Sequence, residues 1–172
     1  MPAAGQEDGQ TQDRRNRPHQ KMKVITVNKK AFFDYEILEK LEAGISLVGS
    51  EVKSLREGHI SLRDAYVEFH DGRPVLRGAN ISIYPNASFN NHEPERDRFL
   101  LLGRQEIRRL MRKVEAKGVT IIPLRCYFSD KGIAKVEIGL AKGKREYEKK
   151  ARIKERDLGR EMDRDLAGIR RR

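Results

Sequence analysis

Two alternating apolar runs that fold back around glycine turns constrain this chain more than any other feature. Residues 61–69 alternate, meet His70-Asp71-Gly72-Arg73, and are followed by a strand-like run at 74–83. Residues 120–129 and 133–140 repeat the arrangement around Asp130-Lys131-Gly132. A glycine turn between alternating runs is a strong hairpin signal, because the tightest of these turns need positive φ at their centre. Shorter strand-like pieces lie at 22–27 and 45–48. Residues 32–38 alternate imperfectly, 39–43 read as more helical, and Gly44 breaks the segment. Pro123 predicts a bulge or an edge position in its strand. A short helix is expected over 49–58, with Ser50 as N-cap, Val52 and Leu55 three apart, and Gly58 at the stop. The clearest helix spans 104–117, where Ile107, Leu110, Met111 and Val114 form one apolar stripe. Between them, 84–98 reads as a long polar loop. About six short strands with two or three helices predict a mainly β fold with flanking helices, a small closed antiparallel β-barrel, and not βαβ units.

The charge sits at the ends. The 172 residues carry a net charge of +11. Residues 1–30 hold 7 basic and 3 acidic side chains, 31–140 hold 17 and 16, and 141–172 hold 13 and 7. Basic arms on a nearly neutral body suit an anionic partner, nucleic acid first, because Lys and Arg displace counterions from phosphates. Residues 1–20 have almost nothing apolar and are expected to be a disordered arm. Residues 21–140 form the folded domain. In 141–172, Ala151, Leu158, Met162, Leu166 and Ile169 make a narrow helical stripe that Tyr147 extends backwards. Too little apolar face remains for that helix to fold alone, so the tail is expected to be disordered when free and helical on a partner. No run approaches the ~18 apolar residues of a membrane span. The N-terminus has no apolar h-region. A single cysteine excludes a disulfide framework and a Cys-based zinc site within one chain. These features predict a cytoplasmic monomer.

Catalytic patterns are missing. His19, His59, His70 and His92 are scattered, not at metal-ligand spacing, and read as surface histidines. Cys126 reads as a buried structural thiol. The run Gly139-Leu-Ala-Lys-Gly-Lys-Arg145 is like a phosphate loop, but it has three residues between its glycines and Arg where a magnesium-binding hydroxyl belongs. Its backbone and lysines can still grip RNA phosphates. No catalytic residue, metal or cofactor is expected, and the function class is binding.

Seven short segments are more specific than charge. They are Asn28-Lys-Lys-Ala31, Glu42-Ala-Gly44, Gly49-x-Glu-Val-Lys-Ser-Leu-Arg56, Gly78-Ala-Asn-Ile81, Leu100-Leu-Leu102, Gly139-Leu-Ala-Lys-Gly-Lys144 and Ile153-Lys-Glu-Arg156. In this order and spacing they closely resemble the bacterial tmRNA-binding small protein B (SmpB) family, from about residue 22 to the end. The resemblance implies an oligonucleotide-binding-like β-barrel that is not an enzyme. It implies binding to the tRNA-like domain of transfer-messenger RNA, and delivery of that RNA, with elongation factor Tu and GTP, to stalled ribosomes for trans-translation. The tail would occupy the small-subunit decoding centre and the empty mRNA channel.

Carried across residue by residue, the resemblance places Asn28, Lys29, Glu42 and Leu101 at RNA-holding positions. Glu42 can accept from a base amino group or a ribose 2′-hydroxyl. Leu101 can pack against an unstacked base, or can be a core residue. Lys53 and Arg56 share a face of the short helix and are read as facing either phosphates or solvent. Lys142, Gly143, Lys144 and Arg145 match a basic turn for phosphate neutralisation. Tyr147 matches a decoding-centre position that is His in some members. It keeps the stacking face and loses the titratable group. Ile153, Lys154, Glu155 and Arg156 match the tail motif needed for accommodation. The alternatives are a generic ribosomal or single-strand RNA-binding barrel without tmRNA specificity, and a nuclease. The first lacks a clustered aromatic platform, and the second would need clustered carboxylates for metal.

Overall fold

Both hairpins close where the sequence places them. In the computed structural model, Asp71 and Gly72 have φ of 49° and 71°, the sign that a tight turn between His70 and Arg73 requires. Gly132, at φ 73°, closes the second hairpin. The structure describes residues 22–85, 87, 91–115, 118–145, 148, 150, 151, 153–155, 157–160 and 162. In chain order the elements are β1 (Lys23–Val27), α1 (Lys29–Asp34), β2 (Tyr35–Ile45), α2 (Gly49–Arg56), β3 (Ile60–Ser61), β4 (Tyr66–His70), β5 (Arg73–Arg77), β6 (Asn80–Ile81), β7 (Arg98–Leu101), α3 (Arg104–Val114), β8 (Val119–Phe128) and β9 (Ala134–Gly143).

All pairings are antiparallel. The main sheet runs β1-β8-β4-β5-β7-β2-β9, and β9 pairs again with β8. A ring of hydrogen-bonded pairings thus passes through six strands, with β1 added outside on β8. The ring is uneven. β9 holds long ladders with both β2 and β8, whereas β4 meets β8 at the single pair Val67–Ile121. A two-stranded piece, β3 with β6, sits apart. Leu55, Leu76, Ile81, Leu110, Val136 and Ile138 are fully buried inside. A smaller apolar cluster of Ala31, Ile122, Leu124 and Ala141 lies under α1.

Several local expectations change under tertiary pairing. Residues 39–43 are strand, not helix. β2 is one 11-residue strand along β9, with a register shift between Ile37 and Glu39. After that shift Leu41, Ala43 and Ile45 point inward, and core burial outweighs the helical preference of the segment. Gly44 continues the strand, and residues 46–48 leave it. The bulge at Pro123 is present as a register shift between Pro123 and Arg125. The return strand expected at 74–83 is split by Gly78, at φ 69°. A Cβ there would sit 3.0 Å from the Asp64 carbonyl, so the chain passes close and turns into β6.

The short helix α2 starts as expected but is capped differently. Ser50 is inside the helix, where its hydroxyl meets His92 Nδ1 at 3.0 Å. The cap is the Glu51 carboxylate, which accepts from the Val48 N–H at 2.9 Å. His92 is therefore buried, not a surface histidine, and its Nε2 lies 3.0 Å from the Ile81 carbonyl. The polar loop 84–98 holds the largest departure. Glu51 and Arg98 are both 0% exposed and pair at 2.8 Å. Arg96 grips the same carboxylate with two nitrogens, at 2.8 and 2.6 Å. Arg98 also donates to the carbonyls of Ala79, Pro94 and Arg96. These charges lock the C-terminal part of the polar loop to α2. Cys126 is buried as expected, and burial pushes its thiol up to about 12.

Candidate nucleic-acid interface

One patch forms on the outer face where β7, β2, β9 and β8 run side by side. Gly44 of β2 is in register with Leu101 of β7. A Cβ on Gly44 would come 3.1 Å from the Leu101 Cβ, so glycine leaves room for Leu101 to stand on the surface. Leu101 is 64% exposed, which settles it as a surface residue and not a core one. Phe99, two residues earlier on the same face, is 45% exposed. Glu42, two residues before Gly44, also points outward. Its carboxylate accepts hydrogen bonds from the Tyr127 hydroxyl of β8 and the Lys135 ammonium of β9.

The electrostatics of that contact are one-sided. Lys135 first, and then the Tyr127 hydroxyl, hold the Glu42 carboxyl below its ordinary value against the effect of burial. Burial and the neighbouring carboxylate push the Tyr127 hydroxyl up, so it stays a donor. Arg125 completes the row, paired with Glu137 at 2.7 Å and lying 5.6 Å over the Tyr127 ring. Glu42 is thus ionised and oriented with lone pairs left over. That arrangement accepts from amino or hydroxyl donors beside an apolar surface.

A second group gathers around α1. The basic turn after β9 packs against this helix, because Lys144 N–H donates to the Asp34 carbonyl at 3.0 Å. Lys144 Nζ donates to the Phe32 carbonyl at 3.0 Å, so this lysine secures the C-terminal turn of α1. Lys142, Gly143 and Arg145 are exposed beside it, as is Lys29 on α1. Lys30 pairs with Asp64 at 2.6 Å. Tyr35 and Glu42 are seven residues apart on β2, so this group lies ~23 Å from the first. Lys53 and Arg56 stand on α2, with the Lys53 ammonium 5.4 Å from the Tyr84 ring centroid.

Asn28 is placed inside. It is buried and caps α1, its Oδ1 accepting from the Ala31 N–H at 3.1 Å. Its Nδ2 donates to the carbonyls of Leu62 and Pro123, at 2.7 and 3.0 Å. Asn28→Ala removes the cap and both Nδ2 bonds, although the Leu62 carbonyl keeps the Ala65 N–H at 3.3 Å. We expect it to lower stability by ~2–3 kcal/mol in urea unfolding. A loss below ~0.5 kcal/mol, the range of ordinary surface changes, would show that the side chain does not tie these segments together.

Sequence reasoning missed Phe99, Arg125, Tyr127 and Lys135. The signals were available. Phe99 is at i−2 from Leu101, and Tyr127 and Lys135 are opposite each other in the hairpin register. In the tail, Ile153, Lys154 and Glu155 have helical backbone and are exposed. Tyr147, Arg156 and the arm 1–20 lie outside the described residues. Among the described residues, no three His, Cys, Asp or Glu side chains gather to hold a metal. No described helix is long and apolar enough to cross a membrane.

The family described as SmpB protein matches residues 25–168. The SsrA-binding protein of Syntrophobacter fumaroxidans is 52% identical over 152 residues, covering 87% of this chain and 94% of its own. That of Sulfurihydrogenibium sp. is 54% identical, covering 85% of this chain and 95% of its own. A solved structure described as "tmRNA-SmpB: a journey to the center of the bacterial ribosome" is 48% identical, with a TM-score of 0.61 over 72% of this chain and 85% of that one.

Proposed function

The chain belongs to the SmpB protein family, and on that premise we propose that it binds the tRNA-like domain of transfer-messenger RNA and delivers it to stalled ribosomes. The function is binding, without catalysis. The observation that carries the reading is Leu101 standing exposed over Gly44, beside a Glu42 carboxylate fixed by two donors. RNA recognition works through unstacked bases and 2′-hydroxyls, and this patch offers one surface for each. The relatives' shared name, SsrA-binding protein, supports the choice of RNA.

In this reading the closed ring of strands is an oligonucleotide-binding-like barrel spanning residues 21–140 and running on to the end of β9. Leu101 and Phe99 pack on base or ribose, and Glu42 accepts a hydrogen bond. Lys29, Lys142 and Arg145 neutralise phosphates at the other end of β2, while Lys144 holds the turn. Lys53 and Arg56 contribute phosphate contacts from α2. Asn28 acts through the position of α1. Elongation factor Tu with GTP joins through the RNA. The tail begins not at residue 141 but after the basic turn, since 141–143 end β9 and Lys144 is bonded to α1. It lies as a helix in the decoding centre and empty mRNA channel, with Tyr147 stacked on a ribosomal base. The protein works as a cytoplasmic monomer.

Leu101→Asp tests the patch without touching the core. Burying a leucine contributes ~1.5–3 kcal/mol, so affinity for the tRNA-like domain should fall roughly 10- to 100-fold. The melting temperature should stay at the parent value. Unchanged affinity in a gel-shift titration would remove Leu101 from the interface.

A further inference from the structure

We infer that α3 carries a second strip of the RNA interface, in which Arg104, Arg108 and Arg112 follow the phosphate backbone of one strand of the same RNA. The inference rests on the functional reading above and names residues beyond those that reading uses.

Helix α3 is attached to the body in two ways. Leu110 is fully buried. Arg109 and Lys113 both pair with Glu39 on β2, Arg109 at 2.6 Å. Lys113 first, and Arg109 with it, hold the Glu39 carboxyl below its ordinary value. These two cations are therefore occupied within the fold.

The other three arginines are not. Arg104, Arg108 and Arg112 recur every four residues, so they share one face of the helix. All three are exposed. None pairs with an acidic side chain among the described residues, although Glu115 follows at the C-terminal end. Among the described residues, the one side-chain bond of the three is Arg112 Nε to the Arg108 carbonyl, at 3.4 Å. The fold gains nothing from this placement. Like charges four apart on a helix repel. Arg104 also sits in the first turn, where the helix dipole disfavours a cation. A charge row that opposes its own helix is relieved by an anionic ligand.

Geometry selects the ligand. Arg104 is three residues after Leu101 in sequence, with only Leu102 and Gly103 between them. The row therefore starts at the edge of the Leu101 patch and runs ~12 Å along the helix. Its arginines are ~6 Å apart along the axis, comparable to the spacing of successive phosphates on an RNA strand. Guanidinium groups match phosphate oxygens through paired N–H donors. Continuity with the patch assigns the row to the RNA held there.

The test is a salt titration of binding to the isolated tRNA-like domain RNA, beside a folded control RNA of equal length. Three lost phosphate contacts lower the slope of log affinity against log salt by ~2–3. The variant Arg104→Gln/Arg108→Gln/Arg112→Gln should show that drop with a melting temperature at or slightly above the parent value, since it relieves the repulsion along the helix. The matching Arg→Lys triple keeps the charge and should restore the slope. A control triple, Lys23→Gln/Arg73→Gln/Lys131→Gln, removes equal charge elsewhere and should change the slope by less than ~1. An intact chain with no preference for the tRNA-like RNA overturns the functional reading and takes this inference with it. An intact chain that shows the preference, while the arginine triple keeps the parent slope or only matches the control triple, overturns this inference alone.

Discussion

Glu51→Ala lowers folding stability by ~3–5 kcal/mol, the largest loss expected of any single substitution in this chain. The carboxylate accepts from the Val48 N–H, from two nitrogens of Arg96 and from Arg98 Nε. Without it the Arg98 guanidinium stays in a fully buried site with no carboxylate bonded to it. Net stability of a domain is ~5–15 kcal/mol, so the loss takes a large share of the total. The pH dependence follows from the same contacts. Burial opposes ionisation of Glu51, but Arg96, the Val48 N–H and Arg98 together outweigh it and lower the pKa. A carboxyl lowered by folding adds stability above the ordinary carboxylate range, and that stability is lost as pH falls through the lowered folded value. The parent should therefore weaken in acid, and Glu51→Ala should show a flatter acid limb. Glu51→Met/Arg98→Met should recover part of the loss, because it leaves no orphaned guanidinium but removes the donors that Arg98 gives the Ala79, Pro94 and Arg96 carbonyls. A loss under ~1 kcal/mol for Glu51→Ala in urea would contradict the account.

Ending the chain after Arg145 leaves binding to the tRNA-like domain within about threefold of the parent, a change under ~0.7 kcal/mol, and abolishes peptide tagging on stalled ribosomes. The place of the cut matters. Stopping after Leu140 removes the pairs Ile37–Ala141, Glu36–Lys142 and Tyr35–Gly143 on β2. It also removes fully buried Ala141 and the Lys144 contacts to α1. Such a chain would lose affinity through the fold and report nothing about the tail. The cut after Arg145 keeps the whole of β9 and the basic turn. A truncated chain that tags at the parent rate would show that the tail has no role beyond the RNA-bound state. One that binds RNA much more weakly would move part of the RNA interface into the tail.

What was legible in the sequence was local. Asp71-Gly72 and Gly132 announce their turns because turn chemistry depends on a few adjacent residues, and the α3 stripe is visible for the same reason. Residues 39–43 were not legible. Their composition suits a helix, and only the ladder with β9 makes them a strand. The Glu51–Arg98 pair joins residues 47 positions apart. In a chain where 37% of residues are charged, no local pattern distinguishes a buried pair from a solvated one. The interface divides in the same way. Glu42 and Leu101 were named through family resemblance. Gly44 reads as the end of the helix-like segment 39–43, whereas its pairing with Leu101 shows that it makes room for that side chain. The resemblance puts Asn28 among the RNA-holding residues, whereas the fold uses its amide internally, to cap α1 and to tie it to Leu62 and Pro123.

The most direct test of the central claim is equilibrium binding of the intact chain to the tRNA-like domain of transfer-messenger RNA and to an equal-length folded control RNA, at near-physiological salt. A built patch that reads shape and 2′-hydroxyls predicts tight binding to the first and a gap of at least ~100-fold to the second, because specific nucleic-acid sites exceed non-specific ones by factors of that order or more. Equal affinity for both RNAs would mean that the basic ends alone do the binding, and would contradict the account.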